Sequence, residues 1–334
     1  MKRKVAVLGG GSWGTVLANL AALNGSKVTL WMRDKKNAES INKSNINKKY
    51  LPDYPLHENL KATHEIEDIK ACKMVLFCVP SNSFREVLSK SSACLNSEAF
   101  LISATKGIDE NNFLLMSQIL EEEKKGYKVG VISGPNLAIE ISQEQLTGTV
   151  IASKNKSLRE EYIKTFSSNS FRVYSNTDPY GVELGGALKN IYAIACGAAD
   201  GLEAGENTVG MIMTRGLAEM SRFAVNLGAN PMTFLGLSGV GDLITTCASP
   251  LSRNHKFGKL IGRGFKAHEA QKEIGQTIEG LKTLKIVWNK SRKEGLDMPI
   301  VNSLYKIIYE NEPLNGSIEK VIGTDQAKDV EFSR

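Results

Sequence analysis

Short apolar runs separated by a helical pattern mark the first half of the chain. The runs are Val5–Leu8, Val28–Trp31, Met74–Val79, Ala99–Ile102 and Val129–Ile132. Continuous rather than alternating apolar residues are typical of strands that are buried on both faces. Ser12–Asn24 fits a helix between the first two runs, and the polar segment Asp34–Leu60 fits a helix followed by a long loop. Strand, helix and strand in this order predict a doubly wound parallel sheet.

The pattern changes at Asp178, which can cap a helix, while Pro179 suits a first helical position. The stretch from there to Gly201 is apolar nearly all round. Further helices are predicted at Ile212–Leu227, Ala267–Gly275, Gly280–Glu294 and Asn302–Glu310. We therefore expect two domains, an α/β domain over residues 1–177 and an α-helical domain over residues 178–334.

Composition narrows the functional classes. The five cysteines are scattered without a C-x-x-C pair, and the four histidines lack metal-ligand spacing, so we expect free thiols in a reducing cytoplasm and no metal. The apolar start breaks at Gly9–Gly11, which argues against a secretory signal, and no apolar run is long enough for membrane insertion. The net charge of +6 comes without a nucleic-acid motif. An anionic small molecule is therefore the expected partner.

A glycine-rich motif, Gly9-Gly10-Gly11-Ser12-Trp13-Gly14, follows the first predicted strand and opens the first predicted helix. In this Rossmann-type context, Gly9 permits a tight turn, Gly11 lets the backbone approach a pyrophosphate, and Gly14 allows helix and sheet to pack closely. The unpaired N–H groups at the helix start favour phosphates. The motif therefore predicts a dinucleotide site.

The residues at the end of the second predicted strand indicate which dinucleotide binds. An NAD site usually has an acidic residue about 20 residues past the last glycine, where it binds the ribose 2′-OH. Arg33 stands near that position, and a guanidinium can pair with a 2′-phosphate. NADP(H) is therefore favoured, but Asp34 follows directly and leaves NAD(H) open, and Arg33 could be an ordinary surface residue.

Lys189 lies in a predicted helix that has almost no polar face and should be buried. Small residues share its stripe, leaving room for a ligand or a closely packed helix. A buried ammonium needs a partner, and burial lowers a lysine pKa towards the range that suits proton transfer. The alternative is a lysine that reaches the surface along its methylenes.

Ser252-Arg253-Asn254 combines hydroxyl and amide donors with a guanidinium, a set that suits a phosphate. Ser252 could instead cap the following helix. Asp242 could pair with Lys189 or a substrate hydroxyl, or be a cap. Lys106 follows a predicted strand, at the edge where doubly wound sheets bind ligands.

Together these motifs resemble bacterial-type NAD(P)-dependent glycerol-3-phosphate dehydrogenases over nearly the whole chain, from Val5 to about Val321. The segments that carry the resemblance are Gly9–Gly14, Thr105–Gly107, Ser133–Pro135, Gly186–Asn190, Gly241–Leu243, Ser252–Asn254 and Glu279–Gly280. The resemblance implies a Rossmann-like domain followed by an α-helical substrate-binding domain. It also implies a cytoplasmic homodimer that supplies sn-glycerol 3-phosphate for phospholipid synthesis.

The resemblance also implies residue roles. The dinucleotide would be contacted by Gly9, Gly11, Ser12, Trp13, Gly14, Arg33, Lys106, Ala138, Arg253 and Glu279. Dihydroxyacetone phosphate would be surrounded by Lys106, Gly134, Asn136, Lys189, Asp242, Ser252, Arg253 and Asn254. Lys189 would be the general acid/base. The family usually has Ser or Thr and then Phe where this chain has Asn136 and Leu137, so substrate affinity could differ here.

Two other functions fit part of the pattern. A related two-domain reductase of β-hydroxy or keto acids would share the glycine motif and often a helix lysine, but it does not need the phosphate-binding set Ser252–Asn254. A nonenzymatic dinucleotide sensor would not need Lys189 in an apolar helix.

Overall fold

The computed structural model describes residues 3–314 and 316. They divide into two compact units. The first contains the described residues up to Asp109 together with Leu114–Glu183, and the second contains Glu110–Phe113 and the described residues from Leu184 onward. The domain boundary that the sequence places between residues 177 and 178 stays a prediction. Residues 315 and 317–334 of the predicted second domain lie outside the described residues.

The described residues of the first unit form one eight-stranded sheet in the order β3-β2-β1-β4-β5-β6-β7-β8. The strands are β1 Lys4–Leu8, β2 Lys27–Trp31, β3 Leu60–Thr63, β4 Met74–Phe77, β5 Phe100–Ser103, β6 Lys128–Ser133, β7 Thr147–Ala152 and β8 Phe171–Asn176. All neighbours are parallel except β6 and β7, which pair antiparallel. The doubly wound, mainly parallel sheet is confirmed, with this one antiparallel junction as a departure.

Helices cover both faces of the sheet. They are α1 Ser12–Leu23, α2 Lys35–Ser44, α3 Phe84–Ser91, α4 Met116–Glu123, α5 Ala138–Ser142 and α6 Lys156–Phe166. Alternate residues of β1 enter two separate apolar clusters: Val5 and Val7 lie in one, Ala6 and Leu8 in the other. Burial on both faces explains why the strand is apolar without alternation.

The second unit is helical. Its elements are the main part of α7 Pro179–Gly201, then α8 Glu206–Asn226, α9 Asp242–Ala248, α10 Arg253–Gly262, α11 Ala267–Ile274, α12 Glu279–Glu294 and α13 Pro299–Tyr309. A π-helical turn, Leu237–Gly241, leads directly into α9. The predicted cap is present at the start of α7, where Asp178 Oδ1 accepts a 2.9 Å hydrogen bond from the Gly181 N–H.

Helix α7 is buried along residues 181–199, and glycines let α10 pack directly against its backbone. A Cβ at Gly197 would lie 2.1 Å from the carbonyl oxygen of His255, and one at Gly258 would lie 2.0 Å from that of Ile194. Gly197 and Gly258 therefore let the two helices pack closely, whereas the choice between a ligand and a packed helix beside the Lys189 stripe stays a prediction. This crossing also brings the start of α10 near the middle of α7.

The described residues were examined for disulfides, metal sites and membrane-spanning helices. All five cysteines are free. No group of three or more histidine, cysteine or acidic side chains in residues 3–314 and 316 could hold a metal ion. No helix within those residues has both the length and the apolar character needed to cross a membrane.

Candidate active site

The glycine motif forms the turn between β1 and α1. Gly9 has a φ of +125°, which favours glycine, and a Cβ there would lie 2.5 Å from the carbonyl oxygen of Cys78. A Cβ at Gly14 would lie 1.9 Å from the Gly9 carbonyl oxygen, so only glycine permits this contact between helix and turn. Around Gly11, by contrast, no atom beyond its own local backbone and chain neighbours lies within 4 Å of the Cβ position. The backbone is therefore open to a ligand at the point where a pyrophosphate would approach.

The start of α1 can bind an anion. Gly11 is the N-cap and has no side chain to occupy the N–H groups of the first turn, which begins with the half-buried Ser12 and Trp13. Asn47, which was not predicted as a site residue, fixes this turn by donating to the Gly10 carbonyl at 3.0 Å and to Thr15 Oγ1 at 2.8 Å. Nothing in the local sequence around Asn47 signals this distant contact.

The side chains after β2 have different surroundings. Asp34 caps α2 by accepting from the Asn37 N–H at 3.0 Å, and Lys49 Nζ lies 3.4 Å from its other oxygen. The hydrogen bond from Asn37 is the main reason why the pKa of Asp34 lies below its usual value. Arg33 is exposed. Asp34 is exposed as well, but a carboxylate that already accepts from a helix start is a poorer ribose ligand.

Lys106 lies beyond the carboxyl end of β5. Its Nζ donates to the Gly134 carbonyl at 3.1 Å, which joins the segment after β5 to the segment after β6. Gly134 has a φ of +147°, and a Cβ there would lie 3.1 Å from the Thr149 Cα. The structure thus brings together two predicted site residues that are 28 positions apart.

Asn136 has one satisfied and one unsatisfied side-chain atom. Its Oδ1 accepts from Thr149 Oγ1 at 2.9 Å. Its Nδ2 is buried and has no hydrogen-bond partner within the described part of the chain. An unpaired buried donor is costly unless something accepts from it. The amide that replaces the family's usual hydroxyl therefore offers a donor to a ligand.

The middle of α7 and the start of α9 form a buried ion pair. Lys189 is 6% exposed and Asp242 is 1% exposed, and Lys189 Nζ donates to Asp242 Oδ1. Nζ also lies 2.5 Å from Thr246 Oγ1, which in turn donates to the Asp242 backbone carbonyl at 2.7 Å. Lys189 is thus buried and paired, as one of the two interpretations expected. Thr246 was not predicted, because its role depends on the turn of helix that places it beside Asp242.

The buried Cys247 thiol beside this pair carries no charge near neutral pH. A hydrogen bond to Cys196 and burial raise the pKa of Cys247 well above its usual value, although Lys189 opposes the shift. Cys196 and Cys247 are both buried. Lys189 and Asp242 therefore face each other in a buried environment, where electrostatic interactions are stronger than in water.

The predicted phosphate-binding set lies at the start of α10. Ser252 is the N-cap and accepts from the His255 N–H at 3.2 Å, so the capping role is present, while its hydroxyl hydrogen remains available to donate. Arg253 is exposed, and its guanidinium donates to the Thr277 carbonyl at 3.0 Å. This contact brings Arg253 to the loop that precedes Glu279.

Both polar atoms of the Asn254 side chain bind groups on other helices. Its Nδ2 donates to Asn190 Oδ1 at 2.8 Å, and its Oδ1 accepts from the Gly280 N–H at 3.0 Å. These bonds tie α10 to α7 and α12 directly beside Lys189. Asn190 belongs to the segment Gly186–Asn190 but was not predicted as a site residue. Glu279 and Ala138 are half-buried first residues of α12 and α5.

Sequence comparisons point to one enzyme family. The family models described as NAD-dependent glycerol-3-phosphate dehydrogenase N-terminus and C-terminus match residues 4–159 and 178–319. A protein named glycerol-3-phosphate dehydrogenase [NAD(P)+] from Saccharophagus degradans is 49% identical over 99% of this chain and 93% of its own length. One of the same name from Alcanivorax borkumensis is 48% identical over 99% of this chain and 97% of its own length.

Solved structures agree as well. The crystal structure of glycerol-3-phosphate dehydrogenase from Coxiella burnetii superposes with a TM-score of 0.91 at 36% identity, covering 96% of this chain and 99% of the other. A ketopantoate reductase from Ralstonia eutropha, with a TM-score of 0.58 at 14% identity, shares the fold alone. The glycine turn, the buried lysine pair and full-length similarity to enzymes of one name lead to the same conclusion: this chain belongs to the NAD(P)-dependent glycerol-3-phosphate dehydrogenase family.

Proposed function

We propose that the protein is an NAD(P)-dependent oxidoreductase of CH–OH groups that interconverts dihydroxyacetone phosphate and sn-glycerol 3-phosphate. The observation that carries the proposal is the buried cluster of Lys189, Asp242 and Thr246. An ammonium fixed in a buried, polar cluster suits a reaction in which negative charge develops on a carbonyl oxygen. The family membership supports the choice of substrate.

The residues of the glycine turn fit a dinucleotide. Open space at Gly11 and the N–H groups of the first turn of α1 would receive the pyrophosphate, with Ser12 and Trp13 beside it. When bound, the reduced nicotinamide supplies a hydride to the ketone carbon of the substrate. Arg33, exposed beside a carboxylate that already caps α2, supports NADP(H) as the favoured cofactor with NAD(H) as a second one.

In the reductive direction, Lys189 stabilises the developing alkoxide and delivers a proton to it. Asp242 orients the ammonium, and Thr246 fixes the same Nζ from a second direction. In the oxidative direction, the same amine would accept the hydroxyl proton. The pair therefore acts as a general acid/base whose position does not depend on flexible surface contacts.

The remaining polar residues would bind the phosphate and orient the ketone. At the start of α10, Ser252 and Arg253 offer a hydroxyl and a guanidinium, and Asn254 is held rigidly by Asn190. In the first unit, Lys106, held against the Gly134 carbonyl, would neutralise charge, and Asn136 Nδ2 would donate to the ligand that satisfies it. Orientation of the reacting carbon is a large part of such catalysis.

We further propose that the protein is a cytoplasmic homodimer that supplies glycerol 3-phosphate for phospholipid synthesis. This part rests on the family and on the five free thiols, which suit a reducing compartment.

The test is steady-state oxidation of NADPH, and separately of NADH, with dihydroxyacetone phosphate, followed by nicotinamide absorbance. A keto acid without a phosphate serves as the matched control substrate. Turnover with the triose phosphate and not with the keto acid supports the proposal. Turnover with the keto acid alone would favour a keto acid reductase, and binding of cofactor without turnover would favour a sensor.

A further inference from the structure

A second buried carboxylate, on the same helix as Lys189, has no part in the chemistry proposed above. Glu183 lies in the first turns of α7, six residues before Lys189, and is 3% exposed. A buried carboxylate is costly unless several donors satisfy it. Its hydrogen bonds therefore indicate what it stabilises.

Glu183 binds two elements of the first unit, β5 and α4. Its Oε1 accepts from Ser103 Oγ at 3.1 Å, at the last residue of β5. Both of its oxygens lie 3.2 Å from the backbone N of Ser117, in the first turn of α4, and Oε2 also accepts from the Ser117 hydroxyl. One side chain thus fixes the end of a central strand and caps a helix.

The end of that strand leads directly to Lys106. Ser103 precedes Lys106 by three residues, and Thr105 Oγ1 between them donates to the carbonyls of Phe77 at 3.2 Å and Val79 at 2.7 Å. Glu183 and the end of β4 therefore hold two alternate residues of the segment that carries Lys106. A displacement of about 1 Å in such a segment can reduce catalysis about a hundredfold.

We propose that Glu183 is a positioning residue, which fixes the course of residues 103–107 and thereby the place of the Lys106 amine. The inference rests on the proposed function, in which Lys106 binds the substrate. Glu183 itself touches neither substrate nor cofactor in this scheme. It acts through Ser103.

The ionisation of Glu183 should make kcat/KM depend on pH, which gives a second test of the proposal. Burial raises its pKa to about 7, against the opposing effect of the Ser117 and Ser103 hydrogen bonds, and the charge of Glu121 on α4 raises it slightly further. Above that pH the carboxylate accepts from all three donors. Below it, the protonated group must itself donate, which disturbs at least one serine bond. We therefore expect kcat/KM for dihydroxyacetone phosphate to have an acid limb near pH 7 that Glu183→Gln lacks.

The experiment is a double-mutant cycle of Glu183→Gln and Lys106→Met. Steady-state kinetics would give kcat and KM for dihydroxyacetone phosphate, and fluorescence titration would give the Kd for NADPH. We expect Glu183→Gln alone to raise KM about tenfold, the equivalent of one charge-assisted hydrogen bond, with the Kd for NADPH unchanged. In the Lys106→Met background we expect the same change to alter kcat/KM less than about twofold. Equal effects in both backgrounds would overturn the proposal.

Glu219 supplies a matched control. It is also a buried carboxylate with a pKa raised to about 7 by burial, but it caps α13 by accepting from the N–H groups of Ile300 and Val301. We expect Glu219→Gln to leave KM for dihydroxyacetone phosphate unchanged. An equal rise in KM in that variant would assign the effect to general destabilisation and contradict a positioning role.

Ser103→Ala covers the case in which Glu183→Gln does not fold. It removes one donor to the carboxylate and should raise KM about threefold in the wild-type background and not in the Lys106→Met background. An unchanged KM would overturn the proposal. Absence of wild-type turnover would overturn the proposed function and this inference together, whereas wild-type turnover with additive variants would overturn the inference alone.

Discussion

The buried pair of Lys189 and Asp242 should be coupled energetically, and a second double-mutant cycle measures this. The changes are Lys189→Met and Asp242→Asn, alone and together. Both side chains are nearly inaccessible, so either single change leaves the other group buried without its charged partner. Such a loss typically costs about 3–5 kcal/mol. Coulomb's law gives about 5.5 kcal/mol for unit charges about 3 Å apart at an effective dielectric constant of about 20.

The double variant should be less destabilised than the two single changes suggest. Thr246 Oγ1 keeps its 2.7 Å bond to the Asp242 backbone carbonyl when both side chains are replaced, so its hydroxyl remains satisfied. We expect the combined loss to be smaller than the sum of the single losses by about 3 kcal/mol. Urea unfolding followed by circular dichroism, at one pH near 7, gives the four free energies. Additive losses would refute the reasoning, because they would mean that the two charges do not stabilise each other.

Three other predictions concern separate parts of the chain. Gly14→Ala places a Cβ 1.9 Å from the Gly9 carbonyl oxygen and should disturb the turn that binds the dinucleotide. Fluorescence titration should therefore show a Kd for NADPH that is at least tenfold higher. Unchanged binding would contradict the close packing. Arg33→Ala should lower kcat/KM with NADPH about tenfold or more and change kcat/KM with NADH less than about twofold. Equal losses with both cofactors would show that Arg33 does not bind the 2′-phosphate. The pKa of Glu219 is raised from 4.5 to about 7 when folded, so the folded state retains a proton that the unfolded state loses, and stability falls as pH rises between these values. Glu219→Gln should therefore gain about 3 kcal/mol relative to wild type between about pH 4.5 and pH 7 in urea unfolding, and a pH-independent difference would contradict this.

The central strands could be predicted because burial on both faces leaves a continuous apolar run. β1 is the clearest case, since its alternate residues enter two different cores. The strands β3, β7 and β8 escaped prediction. β8 is an edge strand with several exposed residues, and β7 contains a glycine, so neither shows the continuous pattern. The antiparallel pairing of β6 and β7 also depends on tertiary structure that no local pattern encodes.

Some residues of the candidate site could also be predicted from the sequence, and others could not. Glycines that the backbone requires are readable from a motif, and a lysine in an apolar helix signals that it needs a partner. The partners themselves are harder to predict, because Thr246, Asn190 and Asn47 are ordinary polar residues until the fold places them beside a buried group. Ser252 illustrates the limit, since capping and phosphate binding use the same residue and the structure shows only the first.

The central claim is that Lys189 carries out proton transfer during reduction of dihydroxyacetone phosphate. The most direct measurement is a single-turnover experiment in which wild type and Lys189→Ala, each loaded with the preferred reduced cofactor, are mixed with dihydroxyacetone phosphate and followed by nicotinamide absorbance. We predict rapid oxidation in the wild type and a rate about 10²–10⁴-fold lower in the variant, with the Kd for the cofactor nearly unchanged. Oxidation at the wild-type rate in Lys189→Ala would contradict the account.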